Sequence, residues 1–258
     1  MPVNKSVWIA IPAKDCAHSI EELIERINAL NLALSIVVVD DCSQDNTGER
    51  AGKFDNVVVH RNDTVMGYGG TTTKLYEIAA SKNADYVINI HGDLGHKPED
   101  LVPILATLET TGAGIVVGSR LVFLKKNFRE HGLKVLFDSN LNGGMSAIRL
   151  AGHLSLTFIQ NILFDQRLNS YHEGMRGCNK EALAWILKQN LPGWYDYDST
   201  LLVIAASSNV IIKEIPTPPY YDDRSNSAAP PFRYGLRVLF NSLKSFRYLR
   251  SIGKAKRK

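Results

Sequence analysis

The first 120 residues alternate between short unbroken apolar runs and longer stretches whose apolar residues fall three or four apart. Residues 6–12 (SVWIAIP) are apolar at consecutive positions, the pattern of a strand covered on both faces. Residues 18–32 place Ile20, Leu23, Ile24, Ile27 and Leu30 along one helical stripe. The same reading predicts strands at 35–40, 56–60, 86–90 and 114–117, with helices at 45–54, 66–81 and 98–110. Strands that alternate with helices imply right-handed crossovers and an α/β fold, a mainly parallel sheet with helices on both faces. The second half is less regular. Residues 121–139 read as a long connection, 140–168, 181–189 and 198–206 as helices, 209–215 as a strand, and 216–231 as a Pro- and Ser-rich loop.

Open parallel sheets bind ligands beyond the carboxyl ends of their strands, so the residues there carry the candidate chemistry. The first strand leads into Pro12, Ala13, Lys14, Asp15 and Cys16. The second ends in Asp40 and Asp41, the fourth in His91-Gly92-Asp93, and the fifth in Gly118-Ser119-Arg120. Carboxylates at such an edge suit a hard divalent cation, and an arginine fork suits phosphate. Each residue alone also has a structural reading. The stretch from Asp41 to Asp45 fits a helix cap, Asp93 fits a turn cap, and a lone His91 fits a packed histidine.

Composition changes this picture in two places. Three cysteines (Cys16, Cys42, Cys178) with no CxxC spacing suggest neither a zinc cluster nor a disulfide framework, so a reducing cytoplasmic setting is expected. The first strand starts within a few residues of Met1, so no signal peptide is expected, and no run reaches the ~18 apolar residues of a membrane span. The net charge of +4 conceals an asymmetry. Residues 232–258 hold nine Lys/Arg and no Asp/Glu; removing those nine from the 30 basic residues leaves 21 against 26 acidic ones, a body at −5. Within that tail Leu236, Leu239, Phe240, Leu243, Phe246 and Leu249 lie near helical spacing among arginines and lysines. A basic amphipathic helix of this kind suits the surface of an anionic membrane; the competing reading is a helix packed on the body with a free basic end. Nucleic acid is not expected as a partner, because the body is acidic and carries no nucleic-acid motif.

The segments IPAKDCAHSIEELI, VVVDDCSQDNT, NDTVMGYGGTTTKL, INIHGDLGHKPEDL and VVGSRL, in this order and at these intervals, resemble family 2 glycosyltransferases of the GT-A (Rossmann-like) fold. SYHEGMRGCNKEAL, WYDYDSTLLVIAASSNVIIKEIP and PYYDDRSNSA further resemble the branch that acts on dolichyl and polyprenyl phosphates. The resemblance implies a GT-A domain over 1–231, with a nucleotide-sugar half at 1–120 and an acceptor half at 121–231, followed by the 232–258 tail. It implies a UDP- or GDP-sugar held by Pro12, Ala13, Asp15, Asp40, Asp41, His91, Gly92, Asp93 and Arg176, with Arg120 and Arg224 on the diphosphate. The family's metal-binding Asp-x-Asp falls on His91-Gly92-Asp93, which implies Mg²⁺ or Mn²⁺ on Asp93 and His91. The implied reaction is inverting transfer to a polyprenyl phosphate or lipid-linked glycan at the inner face of the cell membrane. Asp198 and Glu173 are the candidate bases for a hydroxyl acceptor. Two alternatives remain open at this level: a soluble transferase extending a polysaccharide, and a silent nucleotide-sugar-binding scaffold.

Overall fold

A computed structural model of the chain describes residues 5–138, 147–218 and 235–246. Among the described residues seven strands form one sheet in the order β3-β2-β1-β4-β6-β5-β7. They are β1 (Val7–Ala13), β2 (Leu34–Asp40), β3 (Val57–Arg61), β4 (Tyr86–Asn89), β5 (Ile115–Ser119), β6 (Arg176–Asn179) and β7 (Ile212–Pro216). Only β6 runs against its neighbours, between β4 and β5. The helices are α1 (Ile20–Asn28), α2 (Thr47–Ala51), α3 (Gly67–Ser81), α4 (Leu101–Thr111), α5 (Arg120–His131), α6 (Ala147–Phe164), α7 (Lys180–Ile186), α8 (Tyr197–Ala206) and α9 (235–246).

The unbroken apolar pattern of β1 follows from two-sided burial. Val7, Ile9 and Ile11 enter one core with Leu23, Ile24 and Ile27 of α1 and Ile104 and Leu108 of α4. Trp8 and Ala10 enter the opposite core with Leu75 and Tyr76 of α3 and Leu201 and Leu202 of α8. Each fully buried aliphatic side chain contributes ~1.5–3 kcal/mol, so two such layers on one strand fix its register strongly.

The second half departs from expectation twice. Residues 121–139 are not a long connection: α5 occupies most of the stretch. The Ser119 hydroxyl accepts from the Val122 N–H and caps it, while Leu121 and Leu124 pack with Val135 in a small third core. The strand β6 has no sequence signature, since Arg-Gly-Cys-Asn lacks the β-branched run of an isolated strand. Its position is set by what it fits between. A side chain at Gly177 would lie 2.7 Å from Ile104 and 2.8 Å from Leu108, so α4 can cover the strand only at glycine. Of the helix expected at 140–168, the part before Ala147 lies outside the described residues. The described part of the basic tail is the helix α9. It docks on the body through buried Val238, a Gln160–Ser242 hydrogen bond of 3.0 Å and a Phe164–Phe246 edge contact.

The glycine-rich start of α3 has a similar cause. The Gly69 and Gly70 N–H groups donate to the Gly193 carbonyl at 3.0 and 3.1 Å, and an added Cβ at Gly69 would sit 2.1 Å from the Pro192 carbonyl oxygen. This contact carries Tyr68 and Tyr195 into a stacked pair with ring centroids 6.1 Å apart. Gly69→Ala is therefore expected to lower the unfolding free energy by about 1–3 kcal/mol or more. Gly152→Ala, within α6 where nothing lies within 4 Å of an added Cβ, is expected to raise it by about 0.5–1 kcal/mol. Urea unfolding followed by circular dichroism measures both.

Candidate active site

The carboxyl ends of β1, β2 and β4 are sewn together by backbone hydrogen bonds. Asp41 N–H donates to Ala13 O (2.9 Å) and Gly92 N–H to Pro12 O (3.2 Å). Asp15 has a left-handed backbone (φ 48°), and its carboxylate accepts from the Gln44 N–H at 2.7 Å, which ties the first loop to the second. The resulting floor contains Pro12, Ala13, Asp15, Asp41 and Gly92 together.

The three acidic residues of this edge do different work. Asp40 is fully buried. Its Oδ1 accepts from the Ser43 N–H and hydroxyl at 2.8 and 2.5 Å, and its Oδ2 pairs with Arg61 Nη1 at 2.8 Å. Asp41 is also buried; it accepts from Asn62 Nδ2 and from the Met66 and Gly67 N–H groups at 2.9, 2.7 and 2.9 Å. The local cap expected around Asp41–Asp45 is met at α2, where Asp45 Oδ1 accepts from the Thr47 N–H at 3.0 Å, while Asp41 caps the more distant α3. Asp93 is partly exposed, and its Oδ1 accepts from the Gly95 N–H at 2.9 Å. Among the described residues Asp93 Oδ2 takes no hydrogen bond, so it is the carboxylate oxygen of the three that remains available to a ligand.

Behind Asp93 lies a buried polar network. Arg176 of β6 is 1% exposed; its Nη1 pairs with Asp198 Oδ1 of α8, and its Nε donates to Tyr76 Oη at 3.2 Å. Asp198 also takes the Tyr68 hydroxyl at 3.1 Å. Tyr68 Oη in turn lies 3.2 Å from His91 Nε2 and 3.4 Å from Asn89 Nδ2. Asp198 stands in the first turn of α8, after the N-cap position of Asp196, so it faces the network and does not cap the helix. Burial lowers the His91 pKa, opposed by the charges of Asp93 and Asp198 and helped by Arg176 and Arg120. The ring is accordingly a neutral imidazole.

A second group flanks it. Glu173 is fully buried; its Oε1 accepts from the Arg120 N–H at 3.1 Å, with Arg120 Nε 3.6 Å from Oε2. Arg120 Nη2 reaches His96 Nε2 at 3.2 Å, and the His96 ring packs edge-on to His91 at 5.3 Å. Tyr68, Asn89 and His96 are site residues that sequence reasoning did not single out. All three lie inside quoted motifs, and the polar Asn89 within an apolar strand was the available signal. Arg224 lies outside the described residues.

Chemically, a neutral imidazole, an available carboxylate oxygen and an arginine converge where β4 and β5 end. That donor set fits a divalent cation held against a diphosphate. Among the described residues no three His, Cys, Asp or Glu side chains come together as a group that could hold a metal ion by themselves.

This sheet order, with its antiparallel strand between β4 and β5 and its site at the strand ends, is the GT-A architecture of nucleotide-sugar transferases. Mannosyl-3-phosphoglycerate synthase from Rubrobacter xylanophilus superposes with a TM-score of 0.67, covering 98% of this chain and 76% of that one at 16% identity. Glucosyl-3-phosphoglycerate synthase from Mycobacterium tuberculosis, solved with Mn²⁺, UDP and glucosyl-3-phosphoglycerate, superposes at 0.63 over 93% of this chain and 79% of that one, also at 16% identity. At such identity the likeness establishes the fold. The chain belongs to the family described as Glycosyl transferase family 2, whose sequence profile matches residues 8–184, and it is a glycosyltransferase. It is similar, at 24% identity over 93% of this chain and 96% of the relative, to a UDP-N-acetylglucosamine–dolichyl-phosphate N-acetylglucosaminyltransferase from Methanococcus voltae.

Glu173 provides a pH test of the buried group. Burial pushes its carboxyl up to about 7 from an ordinary 4.5, against the opposing Arg120 charge and N–H. An acid whose pKa is higher in the folded state stabilises the fold fully below its unfolded pKa and loses that contribution as pH rises through the folded one. Stability should therefore fall between about pH 4.5 and 7. Glu173→Gln is expected to flatten this fall, read as the denaturation midpoint against pH; an equally steep slope in the variant would assign the fall to other groups.

Proposed function

We propose that the chain transfers a sugar, with inversion at the anomeric carbon, from a UDP- or GDP-sugar to a polyprenyl phosphate. The donor would lie on the floor built by Pro12, Ala13, Asp15, Asp40 and Asp41, its diphosphate at His91-Gly92-Asp93 beside Arg120. Asp40 acts in this reading through Arg61 and the 41–46 loop, since its own oxygens are occupied. Mg²⁺ or Mn²⁺, when bound, would offset the negative charge of the departing nucleoside diphosphate. Arg176 acts from behind, holding Asp198 and the network around His91. Residues 1–120 would thus serve the donor and 121–231 the acceptor.

The choice of acceptor rests on the state of the two candidate bases. A sugar hydroxyl needs a base to take its proton, whereas a phosphate oxygen is already anionic and attacks unaided. Asp198 is engaged by Arg176 and by Tyr68, and Glu173 is sealed from solvent against Arg120. Both candidates are buried and face an arginine, although each keeps one oxygen without a hydrogen bond, and this burial favours a phosphate acceptor over a polysaccharide hydroxyl. The dolichyl-phosphate specificity of the Methanococcus voltae relative supports the same reading.

Such an acceptor resides in a membrane, and the described surface is suited to meet one. No described helix is long and apolar enough to cross a bilayer. Among the described residues, eleven of the nineteen exposed large apolar ones fall on the 132–138 turn, α6 and α9, which is too concentrated for scattered surface residues. They include Phe137 at 88% exposure and Ile148 at 86%, with Phe158 and Ile162 on α6 and Leu236 and Phe240 on α9. Helix α6 has no acidic residue, and Arg237 and Lys244 flank the apolar stripe of α9. A peripheral position on the inner face of the cell membrane, engaged by this surface and the 232–258 tail, follows from the reading.

Radiolabelled UDP-GlcNAc, UDP-glucose and GDP-mannose, incubated with polyprenyl phosphate and Mn²⁺, should label the lipid in at least one case. Asp93→Ala should abolish the transfer. Labelling of a glycan hydroxyl alone would replace the phosphate acceptor, and donor binding without turnover on any acceptor would leave a scaffold. In liposome flotation, Phe158→Glu/Phe240→Glu is expected to lose association with anionic vesicles; flotation equal to the parent chain would remove the membrane role of these helices.

A further inference from the structure

We infer that the tail helix α9 is a working part of the active site and acts on it through Asp196, a positioning residue for sugar transfer. This rests on the glycosyltransferase assignment and goes beyond it, because neither the donor floor nor the His91–Asp93 corner touches the tail. Asp196 is the N-cap residue of α8. An aspartate there ordinarily turns back to accept from the free N–H groups of its own helix. The Asp196 side chain makes no such bond. It is buried and turned to α9: Oδ1 pairs with Arg237 Nη2 at 3.4 Å, and Oδ2 accepts from Asn241 Nδ2. Arg237 and Asn241 lie four residues apart, one turn of α9, beside the inward-facing Val238 and Ser242. A buried carboxylate that loses its partners becomes a costly uncompensated charge. The seat of α9 and the position of Asp196 therefore depend on each other.

Asp196 reaches the tail, and the residues on either side of it reach the site. Tyr195 is 37% exposed and stacks on Tyr68, and its hydroxyl feels the charges of Asp41 and Asp93. The Tyr197 ring centroid lies 5.3 Å from the Arg176 guanidinium carbon. Asp198 pairs with Arg176 and takes the Tyr68 hydroxyl. The segment is anchored at its start by the Gly193 carbonyl, which accepts from the Gly69 and Gly70 N–H groups. Between that anchor and the body of α8, Asp196 supplies a hold that comes from outside the site. A shift at Asp196 moves Tyr195 and Asp198 with it, and a misplacement of about 1 Å can slow a transfer step by about 100-fold. The opposite side of α9 carries the exposed Leu236, Phe240 and Leu243. One helix thus meets the surface proposed for the membrane on one side and the active-site segment on the other, so seating or lifting the tail is felt at the site.

Arg237→Ala/Asn241→Ala in the full chain removes both partners of Asp196 and alters no residue of the donor floor. In hydrogen exchange of the free protein, the amides of residues 194–200 should exchange about 10-fold faster than in the parent, with β1 to β3 unchanged as a check on the fold. Unchanged exchange at 194–200 overturns the inference. Transfer is then measured on detergent-dispersed polyprenyl phosphate with no vesicles present, so that weaker attraction to a membrane cannot lower the rate. The double variant should lose kcat about 10-fold or more while the donor KM stays within about twofold. Asp196→Asn, equal in size, should lose less in the same direction, and Arg237→Lys, which keeps the charge, should retain most of the parent kcat. A parent-like kcat in the double variant would reduce the contact to docking and overturn the positioning role, as would a loss that falls equally on kcat and donor KM. Absence of transfer by the unaltered chain would overturn the polyprenyl-phosphate reading alone; the exchange at 194–200 then decides the inference, which holds for any acceptor.

Discussion

The buried pairing of Arg176 with Asp198 is the interaction around which the site is organised. A guanidinium with almost no exposure is costly to bury unless a carboxylate and further acceptors meet it, and removing one partner leaves an uncompensated charge worth ~3–5 kcal/mol. The pair joins β6 to α8, and through Tyr68 and Tyr76 it reaches α3. Arg176 also stands in register with Asn89 at the end of β4 and with Val117 of β5. The antiparallel strand therefore does more than fill a gap between β4 and β5. It delivers the positive charge that lets the buried Asp198 sit behind His91 without opening to water.

That arrangement divides the acidic residues into two classes. Asp40 and Asp41 are held by backbone N–H groups and by Arg61 and Asn62, and they shape loops. Asp198 and Glu173 are held by arginines, and they position other groups. Asp93 keeps one carboxylate oxygen without a hydrogen bond among the described residues. Burial and partner count separate these roles, where residue type alone does not, because a carboxylate already accepting two or three hydrogen bonds has little left to offer a ligand. The two buried carboxylates Asp198 and Glu173 each face an arginine, which is the feature the proposed phosphate acceptor rests on.

The apolar stripes of α6 and α9 connect this chemistry to a surface. The two helices meet along Gln160–Ser242 and Phe164–Phe246, so the tail helix is bound to the body through one face. Val238 and Ser242 face inward, while Leu236, Phe240 and Leu243 face out at a four- and three-residue spacing. A helix that is amphipathic in this sense has two apolar sides, one satisfied by the fold and one not. A helix packed on the body in this way still leaves an apolar side for the membrane contact proposed above.

Periodicity and strand-end residues made much of the first half legible. β1 to β5, α1, α3 and α4 announce themselves because each buries whole faces, and local pattern reports burial directly. The ordered motifs from Pro12 to Arg120 likewise carried the family. What the chain alone did not disclose depends on distant neighbours. β6 is a strand because of the slot between β4 and β5, and α5 is a helix because Leu121 and Leu124 find Val135. Tyr68 matters because α3 and α8 bring it between Asp198 and His91, residues 130 and 23 positions away. Sequence determined which residues were able to do chemistry and roughly where they would gather. Tertiary structure decided which of those carboxylates are already spent on the protein itself, since hydrogen-bond partners far along the chain leave no trace in local pattern.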